Sequence, residues 1–298
     1  MSDYLDVTTP DGRTLEVLVG GASDGFSLLY HSGTPTAAVP YDRLDEVVTG
    51  LGLRLVTYSR PGYGGSTPRI LADETGPRVR DDVDDSVTVL DHLGVDDFLT
   101  LGWSGGGPRA LGCAAMLPGR CRAAATLAGA APYGVDDLDF TAEMAEENVE
   151  EFAVAVLGAT PYAALLERTM PPIFEASADD LIAAFGGLVT AVDAEFVTGD
   201  FADYMSRVFG RAGAQGVVGA RDDGLAIVAP WGFDVAGIRV PVAVWQGRQD
   251  AMVPYGHGKW LAQHVPGAEA HLFDDEGHLS LFARMEEILA DLKRLGGA

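Results

Sequence analysis

Phe98-Leu-Thr-Leu-Gly-Trp-Ser-Gly-Gly-Gly-Pro108 is the stretch whose reading decides the fold. Its first four residues have strand character, and Arg109-Ala-Leu-Gly-Cys-Ala-Ala-Met-Leu117 behind it has helix character, so the chain reverses within the glycines between them. A reversal that sharp brings backbones together and needs small residues on either side of Ser104. The serine then sits in a sparsely populated backbone region, a strain of about 1–3 kcal/mol that a packed sheet has to sustain. Its hydroxyl stands clear of the sheet at a helix start, where amide N–H groups point outward. G-x-S-x-G in a strand–turn–helix setting is the pattern of an exposed nucleophile. Ser104 is the candidate.

Working outward, strands and helices alternate. Tyr4-Leu-Asp-Val-Thr-Thr and Thr14-Leu-Glu-Val-Leu-Val form a hairpin about Pro10-Asp-Gly-Arg. Phe26–Tyr30, Leu53–Tyr58 and Arg122–Ala128 read as apolar strands, with helical periodicity over Tyr41–Gly50 and Arg80–Leu93. Strands apolar throughout, separated by helices, indicate an α/β fold with a mostly parallel sheet covered on both faces. From Pro132 to Phe233 the alternation stops and only helical segments remain, carrying Phe152, Phe174, Phe185, Phe196, Phe201, Tyr204, Met205 and Phe209. Residues 132–233 are therefore read as a helical cap inserted in a core of residues 1–131 and 234–298. Within it, Thr160-Pro161 reads as a helix start and Ser177-Ala-Asp-Asp180 as a capping box. Alternation resumes with strands at Val240–Trp245 and Ala268–Phe273, a helix over Gly256–His264, and a closing helix from Leu279.

Composition narrows the function. The net charge of −24 argues against nucleic acid and anionic membrane surfaces as partners, since both call for a basic patch. The start of the chain lacks the basic and apolar regions of a signal peptide, and no apolar run is long enough to span a bilayer. Cys113 and Cys121 lack ligand-like spacing and read as buried thiols, so a cytoplasmic location is expected. No phosphate-binding glycine loop, H-E-x-x-H or cysteine cluster occurs, so neither metal nor cofactor is expected. A homodimer is left open.

A serine hydroxyl needs a base within hydrogen-bond reach, and the base needs an acid to fix its tautomer. In the order Ser…Asp/Glu…His, His278 is the one late histidine in a loop after a strand, beside the small Gly277. Asp250, at the tip of the preceding strand, fits as the acid, with Asp137 and Asp139 as fallbacks. Two N–H donors must receive the oxyanion. Gly105 follows the nucleophile directly, and the second donor falls in the loop after Phe26–Tyr30, at Thr34 or alternatively Gly33. Trp103, Phe174 and Tyr204 are candidates for the substrate pocket.

His31-Ser-Gly-Thr-Pro35, Arg60-Pro-Gly-Tyr-Gly-Gly-Ser66, Gly102-Trp-Ser-Gly-Gly106, Gly247-Arg-Gln-Asp-Ala-Met-Val-Pro254 and Glu276-Gly-His278, in this order, resemble the α/β-hydrolase family. The resemblance implies an eight-stranded sheet, a Ser-His-Asp triad and no cofactor. Ser32 stands between His31 and Gly33 where many relatives have His next to Gly, and serine at the elbow disfavours the branches that use aspartate. The expected activity is a carboxylesterase-like serine hydrolase acting on a small-molecule ester or related acyl compound. C–C bond hydrolysis or acyl transfer on the same triad, and a non-catalytic small-molecule-binding module, are the alternatives.

Overall fold

The computed structural model describes residues 3–298. The strands are β1 (Asp3–Thr8), β2 (Thr14–Gly21), β3 (Phe26–His31), β4 (Leu53–Tyr58), β5 (Phe98–Trp103), β6 (Cys121–Leu127), β7 (Val242–Gly247) and β8 (Glu269–Phe273). They form one sheet in the order β1-β2-β4-β3-β5-β6-β7-β8. β1–β2 and β2–β4 pair antiparallel, and the other five pairings are parallel. β5, whose residues are all buried, lies between β3 and β6, so the turn at Ser104 opens at the middle of the sheet.

The helices are α1 (Asp42–Gly50), α2 (Val79–His92), α3 (Gly107–Met116), α4 (Glu146–Ala155), α5 (Ala159–Thr169), α6 (Pro171–Phe174), α7 (Leu181–Phe185), α8 (Ala191–Phe196), α9 (Gly199–Ala212), α10 (Val218–Val228), α11 (Tyr255–His264) and α12 (Met285–Gly296). Successive strand residues face opposite sides, which divides the core in two. Leu99, Leu101 and Trp103 of β5 pack with Leu44 and Val48 of α1 and Ile288, Leu289 and Leu292 of α12. Phe98 packs on the other face with Val83 and Leu90 of α2, Leu111 of α3 and Leu261 of α11. The sheet is thus covered on both sides, as its apolar strands require.

Between β6 and β7 the regular elements of the described residues are helices, α4 to α10 with short 3-10 turns, and none is a strand. Their apolar side chains, Tyr162, Leu166, Phe185, Met205 and Phe209 among them, are continuous with the α1/α12 side of the sheet core. Two local expectations need adjustment. Asp180, not Ser177, is the residue before α7; the Ser177 hydroxyl donates to Asp180 Oδ2 at 2.6 Å and closes a turn ahead of that helix. The closing helix starts only at Met285, because the Leu279 and Ser280 N–H groups are drawn to Asp193 and the next turn, Ser280–Arg284, is tightened to 3-10 geometry. Among the described residues no helix is long and apolar enough to cross a membrane.

Candidate active site

β5 ends at Trp103 and the chain turns at Ser104, whose φ of +54° is left-handed. A side chain at Gly102 would put its Cβ 2.2 Å from the Gly106 carbonyl oxygen, and one at Gly106 would come within 2.1 Å of the His31 oxygen. Those two approaches are why the turn needs glycine on both sides of the serine. Ser104 Oγ bonds to no other described residue, and the residue lines a cavity walled in part by helices between β6 and β7.

His278 lines the same cavity, on the loop after β8. Its Nδ1 lies 2.8 Å from Oδ2 of Asp250, which follows β7, and both residues are buried. Asp250 Oδ1 accepts the Met252 and Val253 N–H groups at 2.9 and 2.8 Å, and Oδ2 accepts Gln246 Nε2 at 2.9 Å. These donors fix the carboxylate in place, and its contact with Nδ1 orients the imidazole so that Nε2 is the ring nitrogen with no partner among the described residues. Burial pulls the His278 pKa down, but the charge and hydrogen bond of Asp250, with the charge of Asp193, outweigh it and leave the value above that of an ordinary histidine. Asp137 is engaged elsewhere, accepting Trp260 Nε1 at 2.6 Å and pairing with His264. His31 is buried against Cys113 Sγ, and burial next to Arg60 depresses its pKa to about 3, so its ring is neutral.

Two carboxylates that the sequence reading did not single out hold the loops around these residues. Asp193, on α8, is fully buried; its Oδ2 accepts the His278 N–H at 3.0 Å, and its Oδ1 accepts those of Leu279 and Ser280 at 2.8 and 2.9 Å. A Cβ at Gly277 would lie 2.5 Å from Asp193 Oδ1, so glycine there admits the carboxylate. Asp223, on α10, accepts Arg60 Nη2 at 2.6 Å, Arg109 Nη2 at 3.1 Å, Tyr63 Oη at 3.0 Å and Thr34 Oγ1 at 2.6 Å. Arg60 reaches on to the carbonyl oxygens of Ser32 and Gly33 at 2.8 and 2.6 Å, and Arg109 to that of Gly105 at 2.7 Å. Burial alone would raise the Asp223 carboxyl; the two guanidiniums hold it below the ordinary value. A sequence signal for Asp223 exists in hindsight: Asp222-Asp223 interrupts a helix otherwise rich in Ala, Gly, Leu and Ile, and a charge on such a face needs a partner.

Thr34, Trp103, Ser104, Gly105 and His278 line the cavity together. Of the aromatic and methionine side chains on the helices between β6 and β7, Phe152, Met170, Phe185, Met205 and Phe209 line it too. Phe174 and Tyr204 are not among the lining residues. Phe174 packs against Gly213, and Tyr204 stacks on Tyr41 with ring centroids 4.3 Å apart. Elsewhere, Glu269, His271 and Asp291 bring possible metal-ligand atoms within 4.8 Å of one another, but the Arg294 guanidinium already pairs with both carboxylates.

A family model described as alpha/beta hydrolase fold matches residues 27–284. A pimeloyl-[acyl-carrier protein] methyl ester esterase from Chromobacterium violaceum is 26% identical over 194 residues, which cover 64% of this chain and 67% of that protein. Among solved structures, a hydrolase from Pseudomonas aeruginosa aligns with a TM-score of 0.70 at 19% identity, covering 99% of each chain. The enol-lactonase from Burkholderia xenovorans gives 0.66 at 19% identity over 98% of this chain and 100% of the other. A thermophilic esterase from Thermogutta terrifontis gives 0.71 at 17% identity over 99% and 100%. At these identities the structural likeness speaks to the fold.

Proposed function

Because the chain belongs to the α/β-hydrolase family, we propose that it is a cofactor-independent serine hydrolase cleaving an ester or related acyl compound. The observation that carries this reading is the left-handed Ser104 sharing a cavity with His278, whose Nδ1 is bound to Asp250 at 2.8 Å. The esterase activity named for the Chromobacterium relative supports the same class of reaction.

In this reading Ser104 Oγ attacks the carbonyl carbon while His278 Nε2 takes its proton, and Asp250 stabilises the imidazolium that forms. The oxyanion is received by the N–H groups of Gly105 and Thr34, each contributing about 3 kcal/mol in the transition state. Thr34 is favoured over Gly33 because it lines the cavity and its nitrogen lies 3.5 Å from where a Gly105 Cβ would stand. His278 then returns the proton to the leaving alcohol, and water attacks the acyl-enzyme with His278 again as base. Residues 132–233 act as a cap whose Phe152, Met170, Ile173 and Phe185 give the cavity an apolar wall for the bulk of the substrate.

A fluorophosphonate probe tests the nucleophile. The expected result is a single adduct on Ser104 that the Ser104→Ala variant does not form. Turnover of short aryl esters should fall by at least about a thousandfold in Ser104→Ala and in His278→Ala. Labelling at another residue, or ester turnover surviving in Ser104→Ala, overturns the assignment.

A further inference from the structure

α4 contributes two polar residues to the lining of the cavity that holds Ser104 and His278. Asn148 and Glu151, one helical turn apart, both line it, and around them the wall is apolar: Phe152, Met170, Ile173, Phe185, Ile227 and Met252. Glu151 Oε1 accepts the hydroxyl of Tyr162, a residue with no solvent exposure, so the carboxyl is anchored from behind. Glu151 Oε2 has no partner among the described residues. Asn148 Nδ2 donates to the Met252 carbonyl at 3.0 Å, which leaves its Oδ1 as a second free acceptor. Among the described residues no lysine or arginine lines the cavity.

A hydrocarbon chain laid along this wall would strip water from both oxygens and return nothing. A group that donates hydrogen bonds would replace the water, and a cation would also offset the carboxylate charge. On these grounds, and resting on the serine-hydrolase reading above, we propose that Asn148 and Glu151 form a specificity subsite. It selects substrates carrying a hydroxyl or ammonium donor on the part of the molecule remote from the scissile carbonyl. Burial, which outweighs the Tyr162 hydrogen bond, raises the Glu151 carboxyl above its ordinary value, in keeping with a carboxyl that lacks a donor or a cation at its open side.

The test uses two series of esters of graded chain length. One comprises nitrophenyl esters of ω-hydroxy and ω-amino acids; the other comprises acetate esters of diols and amino alcohols. Each is matched to its methyl-terminated parent. At the best length, a donor-bearing ester should exceed its parent by about tenfold or more in kcat/KM, chiefly through KM, and the preference should vanish in Glu151→Leu. Glu151→Met, closer in shape to glutamate, gives the same comparison if Glu151→Leu does not fold. Glu151→Gln tells the two donors apart: it keeps a hydroxyl preference and loses an ammonium one. Absence of preference at every length in both series, or a preference unchanged in Glu151→Leu, overturns the subsite. The parents report on the underlying chemistry separately. If they are hydrolysed by a Ser104-dependent route without any donor preference, only the subsite is lost. If neither they nor the donor-bearing esters are turned over, both readings fall.

Discussion

The loop at Ser32–Thr34 and the loop at Gly277–Ser280 each lean on an aspartate supplied by the helices between β6 and β7, yet the two carboxylates meet different chemistry. Asp223 sits among cations: Arg60 and Arg109 share it, Arg109 Nε continues to Asp82 at 2.8 Å, and Asp82 and Asp85 both pair with Arg69. Asp193 meets three backbone N–H groups at 2.8–3.0 Å at the start of a 3-10 turn. The first loop is held by a chain of buried charges in which each member compensates its neighbours. The second is held by amide dipoles that belong to the loop itself. Removing one member of the charge chain strands the others in a medium that solvates them poorly, whereas removing Asp193 strands only neutral donors.

The largest effect expected from this contrast is on stability. Asp223→Ala leaves Arg60 buried without a carboxylate and Arg109 with Asp82 alone, and should cost about 3–5 kcal/mol in urea denaturation. Adding Arg60→Met to it removes the stranded charge, so the double variant should lose clearly less than the sum of the two singles. A loss below about 1 kcal/mol in Asp223→Ala would mean that the network is matched some other way, and the contrast would collapse.

The next effect is on catalysis and its pH dependence. Asp193→Asn turns an amide donor toward N–H groups that need acceptors, so a loss of about 1–3 kcal/mol is expected. The loop that carries His278 should drift, lowering kcat by at least about tenfold with KM nearly unchanged. The pH profile sharpens the point. With His278 as the proposed base, its neutral form is the active one; its pKa is held above the ordinary 6.5 by Asp250 and Asp193 against burial, so the acid limb of kcat/KM should lie above 6.5. Without the charge of Asp193 that limb should move to lower pH. Asp223 is not among the groups that shift His278, so substituting it should leave the limb in place. An acid limb that stays put in Asp193→Asn would reduce Asp193 to a fold-stabilising residue.

The same contrast accounts for what could be read in the sequence. The eight-stranded sheet was legible because each strand carries its own apolar pattern and each turn its own glycines. Ser104, Asp250 and His278 could be picked out as candidates because each lies on the turn or loop that a strand runs into, so local pattern fixes where it emerges. Asp193 and Asp223 could not. Their partners lie 85 and 163 residues away in His278 and Arg60, and nothing in Thr190-Ala-Val-Asp193 hints at a distant loop. Phe174 and Tyr204, read as candidates for the substrate pocket, lie outside the lining of the cavity for a related reason. An amphipathic helix shows which side is apolar but not whether that side meets a neighbouring helix or a cavity; Tyr204 and Met205 are adjacent on α9, and only Met205 reaches the cavity.

The smallest expected effect separates two parts of one residue. Thr34 offers its N–H to the proposed oxyanion site and its hydroxyl to Asp223 at 2.6 Å. Thr34→Val keeps the branched shape and the N–H while deleting the hydroxyl. Asp223 retains Arg60, Arg109 and Tyr63, so the stability loss should be about 1 kcal/mol, well short of Asp223→Ala. If the backbone is the oxyanion donor, kcat on short aryl esters should stay within about threefold of wild type. Deleting a side chain that itself donates to an oxyanion costs about a hundredfold or more. A fall of that size in Thr34→Val would assign the donor to the hydroxyl, and Asp223 would then compete with the substrate for it instead of holding the loop in readiness.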